Sequence, residues 1–235
     1  MQTDLITDYN ELIKYVIKNG LLKKNRPEIS KKLRTVHKYV YSLAIWEYEL
    51  SRIYPNQDAN IFLGEIRSDA INSILLSLYG FKKSANLSIR GIIENTFRYV
   101  YYYDHPIELA LMNGREKYFI SIKEFSDWLV SHPNLKEKIS HYQINDKLYE
   151  KYGKTSEIVH GTRPRYLQLV SSLNEIKFYL SDFNAYIDTL REVVRDSNFV
   201  ISVFHKRILG KLDYHNKMLI MQTLPDSRRD LLSKP

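Results

Sequence analysis

Arg90, Glu94, Arg98 and His105 stand in one uninterrupted stretch, SIRGIIENTFRYVYYYDH from Ser88 to His105. At about 100° per residue, helical steps of four and seven residues nearly close on whole turns, so the four polar groups fall within roughly 80° of arc. They line one edge of an apolar face made by Ile89, Ile92, Ile93, Phe97, Val100 and Tyr101. Arg98 and His105 are separated by six residues, which puts both on one side of a helix, two turns apart. A guanidinium there can grip a phosphate while an imidazole moves a proton. Glu94, one turn earlier, can orient Arg98, and Arg90 can pair with Glu94. The same spacing also suits an intrahelical ion-pair ladder, worth roughly 0.2–0.5 kcal/mol per pair, with His105 at the negative end of the helix dipole.

A second string, YGKTSEIVHG, carries Ser156 and His160 four residues apart, just before Gly161. One helix face then holds a hydroxyl and an imidazole. A serine nucleophile would need a GxSxG elbow and an oxyanion hole, and the sequence has no such elbow. Ser156 and His160 are therefore expected to face the row on the central helix and add to an anion site, or else to form a polar helix end. Asp104, His105 and His160 lack the paired spacing of metal ligands, so no metal is expected. No Walker loop, GxGxxG, HExxH or EF-hand pattern is present, and no cofactor is expected either.

The formal charge of +8 implies a surface that attracts polyanions, nucleic acid first. Lys23, Lys24, Arg26, Lys31, Lys32, Arg34 and Lys38, with a single acid among them, form a candidate backbone-contacting patch. Lys206, Arg207, Lys211, Arg228 and Arg229 form a second; a solvated face explains either equally well. The chain has no cysteine, which excludes disulfides, thiolate metal sites and cysteine nucleophiles and fits a reducing cytoplasm. The N-terminus, MQTDLITDYNELIKYV, is acidic and amphipathic, and no apolar run approaches the roughly 18 residues of a membrane span. A soluble cytoplasmic protein is expected.

Eight glycines and seven prolines punctuate the 235 residues, and the segments between them keep helical periodicity, so the fold class is all-α. A single helical domain spans 1–235: basic N-terminal helices over 4–54, a central bundle over 59–160, C-terminal helices over 182–223 and a polar tail over 225–235. Thr7 or Asp8 is expected to cap the first helix and Asn19-Gly20 to end it. Pro27 opens a second helix that stops before Pro55. A third runs from about Ala59 to Leu78 with Gly80 as its stop, and Ser84 is expected to cap the central helix, which Pro106 ends. A helix holding Tyr118, Phe119, Ile122, Phe125 and Leu129 precedes His132-Pro133. Tyr166, Gln168 and Val170 against Glu175, Lys177 and Tyr179 suggest a small hairpin near 165–180. A long helix from Asp182 to about Leu212 follows, then one capped by Asp213, and a tail that is frayed or docked on a partner.

FRYVYYYDH resembles the motif of the HEPN superfamily, an arginine followed after four to six residues by a histidine. ANLSIRGIIEN and YGKTSEIVHG are similar to the arginine-glutamate and serine-histidine helices of its abortive-infection members. These are small all-α proteins of toxin, abortive-infection and other defence systems, many of them RNases. The resemblance implies an HEPN-like bundle acting on RNA as a homodimer, without metal, by attack of the 2′-hydroxyl. Arg98 would hold the scissile phosphate and His105 would act as general acid or base, with Arg90, Glu94, Ser156 and His160 alongside. Two positions depart from the pattern: Tyr99 replaces a small polar residue, and Ile107 stands where some toxins carry tyrosine. A member kept as a binding or dimerisation module would carry the same fold, so the competing expectation is a non-catalytic subunit that binds nucleic acid or an acidic protein partner in a defence complex.

Overall fold

Helix α4 (Lys82–Asp104) is the axis of the molecule, and its neighbours wrap it so completely that little of its surface is left to solvent. The computed structural model describes residues 4–21, 27–114, 118–172 and 175–233. The other helices are α1 (Leu5–Lys18), α2 (Pro27–Ile53), α3 (Asn60–Tyr79), α5 (Pro106–Gly114), α6 (Ile122–Ser131), α7 (Lys136–His141), α8 (Ile144–His160), α9 (Leu180–Phe204), α10 (Lys206–Leu209), α11 (Tyr214–Met221) and α12 (Asp226–Ser233), of which α3, α5, α6, α8 and α9 pack directly on α4. The described residues contain no strand, and the fold is all-α.

The apolar face foreseen on α4 is broader than its period alone implies. Ile89, Ile92, Ile93, Phe97 and Val100 are buried, and so are Tyr99 and Tyr102, which carry the buried face on past Ile92. Each such side chain contributes about 1.5–3 kcal/mol on leaving water. What remains half-exposed is a strip at Arg90, Glu94 and Arg98, the i, i+4, i+8 edge. Cross-helix pairs fix the directions of the neighbours. Lys32 meets Asn184 and Ser42 meets Asn198, so α2 and α9 run parallel. Thr96 meets Ser197 and Tyr99 meets His205, so α4 runs with them. The pairings of Phe62 with Tyr102 and of Asp69 with Asn95 set α3 against α4 in the antiparallel sense.

Several boundaries differ from expectation, each for a local reason. Asp4, not Thr7 or Asp8, caps α1: its carboxylate accepts from the N–H groups of Ile6 and Thr7. Gly80 closes α3 in the left-handed conformation, φ 85°, and α4 starts immediately at Lys82 without a side-chain cap, so Ser84 is already inside the helix. Tyr118 and Phe119 precede α6, whose start is set at Ser121 by a capping box with Glu124. The short helix α7 lies between His132-Pro133 and α8, where none was expected.

The expected hairpin near 165–180 does not form. Pro164–Tyr166 make a 3-10 turn, and the extended segments that follow reach the α3–α4 turn. Gln168 Nε2 donates to the Gly80 carbonyl at 3.0 Å, and a Cβ on Gly80 would sit 2.4 Å from the Lys177 carbonyl oxygen. Both legs are thus held by the one turn that a glycine leaves open. The long C-terminal helix breaks at His205, whose imidazole turns inward onto the Tyr99 hydroxyl at 2.7 Å. The polar tail docks on its own chain: α12 delivers Arg228, 4% exposed, to Asp196 at 2.5 Å, between the rings of Tyr142 and Phe199.

Candidate functional site

The exposed edge of α4 faces the C-terminal half of α8, and there the polar residues gather. Arg90 Nε donates to Glu94 Oε1 at 2.7 Å, and Arg98 Nη2 lies 3.6 Å from Glu94 Oε2, so one carboxylate holds two guanidiniums. Arg98 Nη1 also donates to Asn95 Oδ1 at 3.2 Å. Arg90 reaches across to α8, where its Nη1 is 3.3 Å from His160 Nε2 and its guanidinium lies 4.9 Å from the centre of the Tyr152 ring. An arginine has only donors, so in this contact His160 Nε2 is the acceptor. His160 is exposed at the end of α8, where Gly161 adopts φ 61°. Ser156, one turn earlier, has a buried Oγ without a hydrogen-bond partner among the described residues. Lys83 adds a further cation, its Nζ 3.1 Å from where a Cβ on Gly161 would lie.

Arg98 and His105 are not brought together. Pro106 ends α4 at Asp104, and His105 leaves the helical conformation with φ −123° and ψ 63°. Its N–H still bonds to the Tyr101 carbonyl at 3.1 Å, so what separates it from Arg98 is the packing of its ring. His105 instead stacks on Tyr101, 4.2 Å between ring centres, and meets Trp128 edge-on at 4.5 Å. Its Nδ1 lies 2.7 Å from the Tyr101 carbonyl oxygen, which accepts from it. Arg98 lines a separate cavity of about 410 Å³ with Asp58, Glu65, Asn95, Leu109 and Met112, and His105 does not reach its wall. The row is therefore divided, with Arg90, Glu94 and Arg98 on one side and His105 packed among the rings near α6.

Asp104, His105 and His160 also part company, since Asp104 accepts from His132 Nε2 at 2.9 Å. No group of three potential metal ligands occurs among the described residues.

One neighbour of the row was not foreseen. Asp69 on α3 lies against the backbone of Gly91, its Oδ2 2.1 Å from where a Cβ would be, and accepts from Asn95 Nδ2 at 3.4 Å. Burial, then the nearby charges of Glu65 and Glu94, push its carboxyl up to about 6, against the opposing hydrogen bond from Asn95. The signal for it was Gly91 itself, a glycine in the interior of a strongly periodic helix, which marks a close approach.

The basic candidates divide in a similar way. Lys23, Lys24 and Arg26 lie outside the described residues. Lys32 bonds to Asn184 at 2.5 Å, Arg34 covers the Tyr9 ring at 5.0 Å, and Lys38 donates to Gln222, so these three tie α2 to its neighbours. Lys31 is exposed. Of the C-terminal group, Arg207 and Lys211 are exposed and Arg228 is internal. No described helix is long and apolar enough to cross a membrane.

Comparisons with protein-family models, with curated proteins and with solved structures each return no match.

Proposed function

We propose that the chain is an HEPN-like effector that acts on RNA in the cytoplasm, in a toxin or defence setting. It holds a backbone phosphate between Arg90 and His160 and cleaves the strand without metal. The observation that carries this reading is the 3.3 Å approach of Arg90 Nη1 to His160 Nε2, which puts a guanidinium and an exposed imidazole at one point. An entering phosphate draws Arg90 into charge-assisted hydrogen bonds and releases Nε2. The freed Nε2 takes the proton of the 2′-hydroxyl, the 2′-oxygen bonds to phosphorus, and the bond from phosphorus to the 5′-oxygen breaks. The leaving 5′-oxygen takes a proton from the matching ring of a second copy in a homodimer, which enters the step as the imidazolium and ends it neutral while His160 of the first copy ends it protonated. A 2′,3′-cyclic phosphate and a 5′-hydroxyl result. Glu94 positions both guanidiniums, and the Ser156 hydroxyl, buried one turn before His160, takes no part in holding the phosphate.

The second reading, a non-catalytic subunit that binds RNA or an acidic protein, draws support from the separation of Arg98 from His105. Incubating labelled single-stranded RNA with the protein in EDTA distinguishes the two. The nuclease reading predicts cleavage that falls on the order of 100-fold or more in Arg90→Ala and His160→Ala. Salt-sensitive binding without cleavage establishes the second reading. Cleavage lost in His105→Ala but kept in His160→Ala returns the chemistry to the Arg98 and His105 pair.

A further inference from the structure

On the side of the molecule away from α8, helices α1, α2 and α3 enclose a groove of about 810 Å³, within the range of small-molecule sites. Its floor and walls are apolar: Leu12 from α1, Val40 and Ala44 from α2, and Ile71, Ile74 and Leu75 from α3. Ile71 and Tyr15 are each 46% exposed there and Tyr48 is 38% exposed, so apolar surface is left open to a ligand. The charged groups on its wall are Asp8, Glu11, Glu47 and Arg67, three carboxylates to one cation, on a chain whose formal charge is +8. Arg67 is paired with Glu47 at 2.7 Å, and Glu11 with Lys14 at 2.7 Å. Asp8 is different. Its partner is His37 Nε2 at 2.6 Å, and His37 is 5% exposed. Burial holds that imidazole below the usual histidine range, against the pull of Asp8, so at neutral pH the carboxylate charge is not cancelled. The rings of Tyr41 and His37 lie 5.9 Å apart, and Tyr41 lines the groove beside this carboxylate.

We infer that the groove is a binding site for a lipophilic organic cation, an amine on an apolar body. The ammonium would sit at Asp8 beside the Tyr41 face, and the body would lie along Val40, Ala44, Ile71 and Leu75. Carboxylate and aromatic faces together select for cations. The site shares no residue with the Arg90 and His160 site and does not depend on the reading given for it.

Calorimetry with three probes of one shape tests this: 5-phenylpentylamine, 5-phenylpentan-1-ol and 5-phenylpentanoate at pH 7.5. The amine is expected to bind about tenfold more tightly than the alcohol, as one charge-assisted contact provides, and the carboxylate most weakly. Asp8→Asn should reduce the amine to the affinity of the alcohol while leaving the alcohol unchanged. Ala44→Trp, which fills the groove without touching Asp8, should abolish binding of both. Equal binding of amine and alcohol, preference for the carboxylate as the overall charge alone would favour, or no binding by any probe overturns the inference. So does an amine preference that survives in Asp8→Asn, or binding that survives in Ala44→Trp.

Discussion

Gly91 lets a carboxylate occupy space that any other residue would fill, and that single absence shapes the inner edge of the candidate site. With Ala at this position, the new Cβ would meet Asp69 Oδ2 at 2.1 Å, and the carboxylate must swing out toward water. Its titration midpoint, about 6 in the native arrangement, is then expected to fall toward 3.8, as read from the carboxyl signal by NMR. Stability should change little, because the helix gains roughly 1 kcal/mol from replacing glycine while Asp69 loses its contact with Asn95. The raised carboxyl also has a definite sign in the pH dependence. The folded state favours its protonated form, so the contribution is fully present below 3.8 and is lost as pH rises through about 6. Asp69→Asn, neutral throughout, should therefore stabilise the protein above that pH by on the order of 1 kcal/mol after allowance for solvent screening, and not below pH 4. Urea melts at pH 4 and pH 8 measure the difference. His205 acts in the opposite direction. Burial alone pushes its imidazole down to about 4, so its contribution is present above 6.5 and is lost as pH falls through 4. An acid-unfolding curve with a limb in that window, shifted to lower pH in His205→Phe, is expected.

At the scale of elements, α4 was the most legible part of the chain and the path of the chain after Gly161 the least. The half-exposed strip of Arg90, Glu94 and Arg98 follows from helical period alone, because α4 is unbroken across it. Gly80 and Gly161 announced the ends of α3 and α8, and both adopt the left-handed conformation that ends helices. The packing of His105 on Tyr101 and on Trp128, a residue of another helix, is not visible in its spacing from Arg98. The break at His205 carries neither glycine nor proline. It depends on the Tyr99 hydroxyl, 106 residues away in sequence, which no local pattern can show. Tyr99 itself is wholly buried and bonded to His205. Asp69 meets Gly91 only across a helix interface, so only the glycine hinted at it. The docking of α12 was open in the sequence, and its energetics can now be stated. Arg228→Ala leaves Asp196, 2% exposed, without its closest cation in the interior, and should cost about 3–5 kcal/mol in denaturant melts. Arg195 Nε, 3.1 Å from the same carboxylate, softens that loss.

Over the described residues, the buried side chains from α1 through α12 form one continuous cluster, and two surface regions around it differ in their charged groups. The edge of α4 and the end of α8 present the cations of Lys83 and Arg90 beside the His160 ring. The groove among α1, α2 and α3 presents carboxylates and rings. A net charge of +8 is therefore unevenly spread, and polyanion binding should concentrate on the first region. Imidazole nitrogen NMR most directly tests the claim that this region holds a phosphate. The probe is a single-stranded RNA analogue with 2′-deoxy sugars throughout, which can bind but cannot be cleaved by 2′-hydroxyl attack. The account predicts that adding it shifts the His160 Nε2 resonance, as Arg90 leaves the ring for the phosphate, while the His105 signals stay in place. A shift confined to His105, or no shift at either ring while the oligonucleotide is bound, would contradict it.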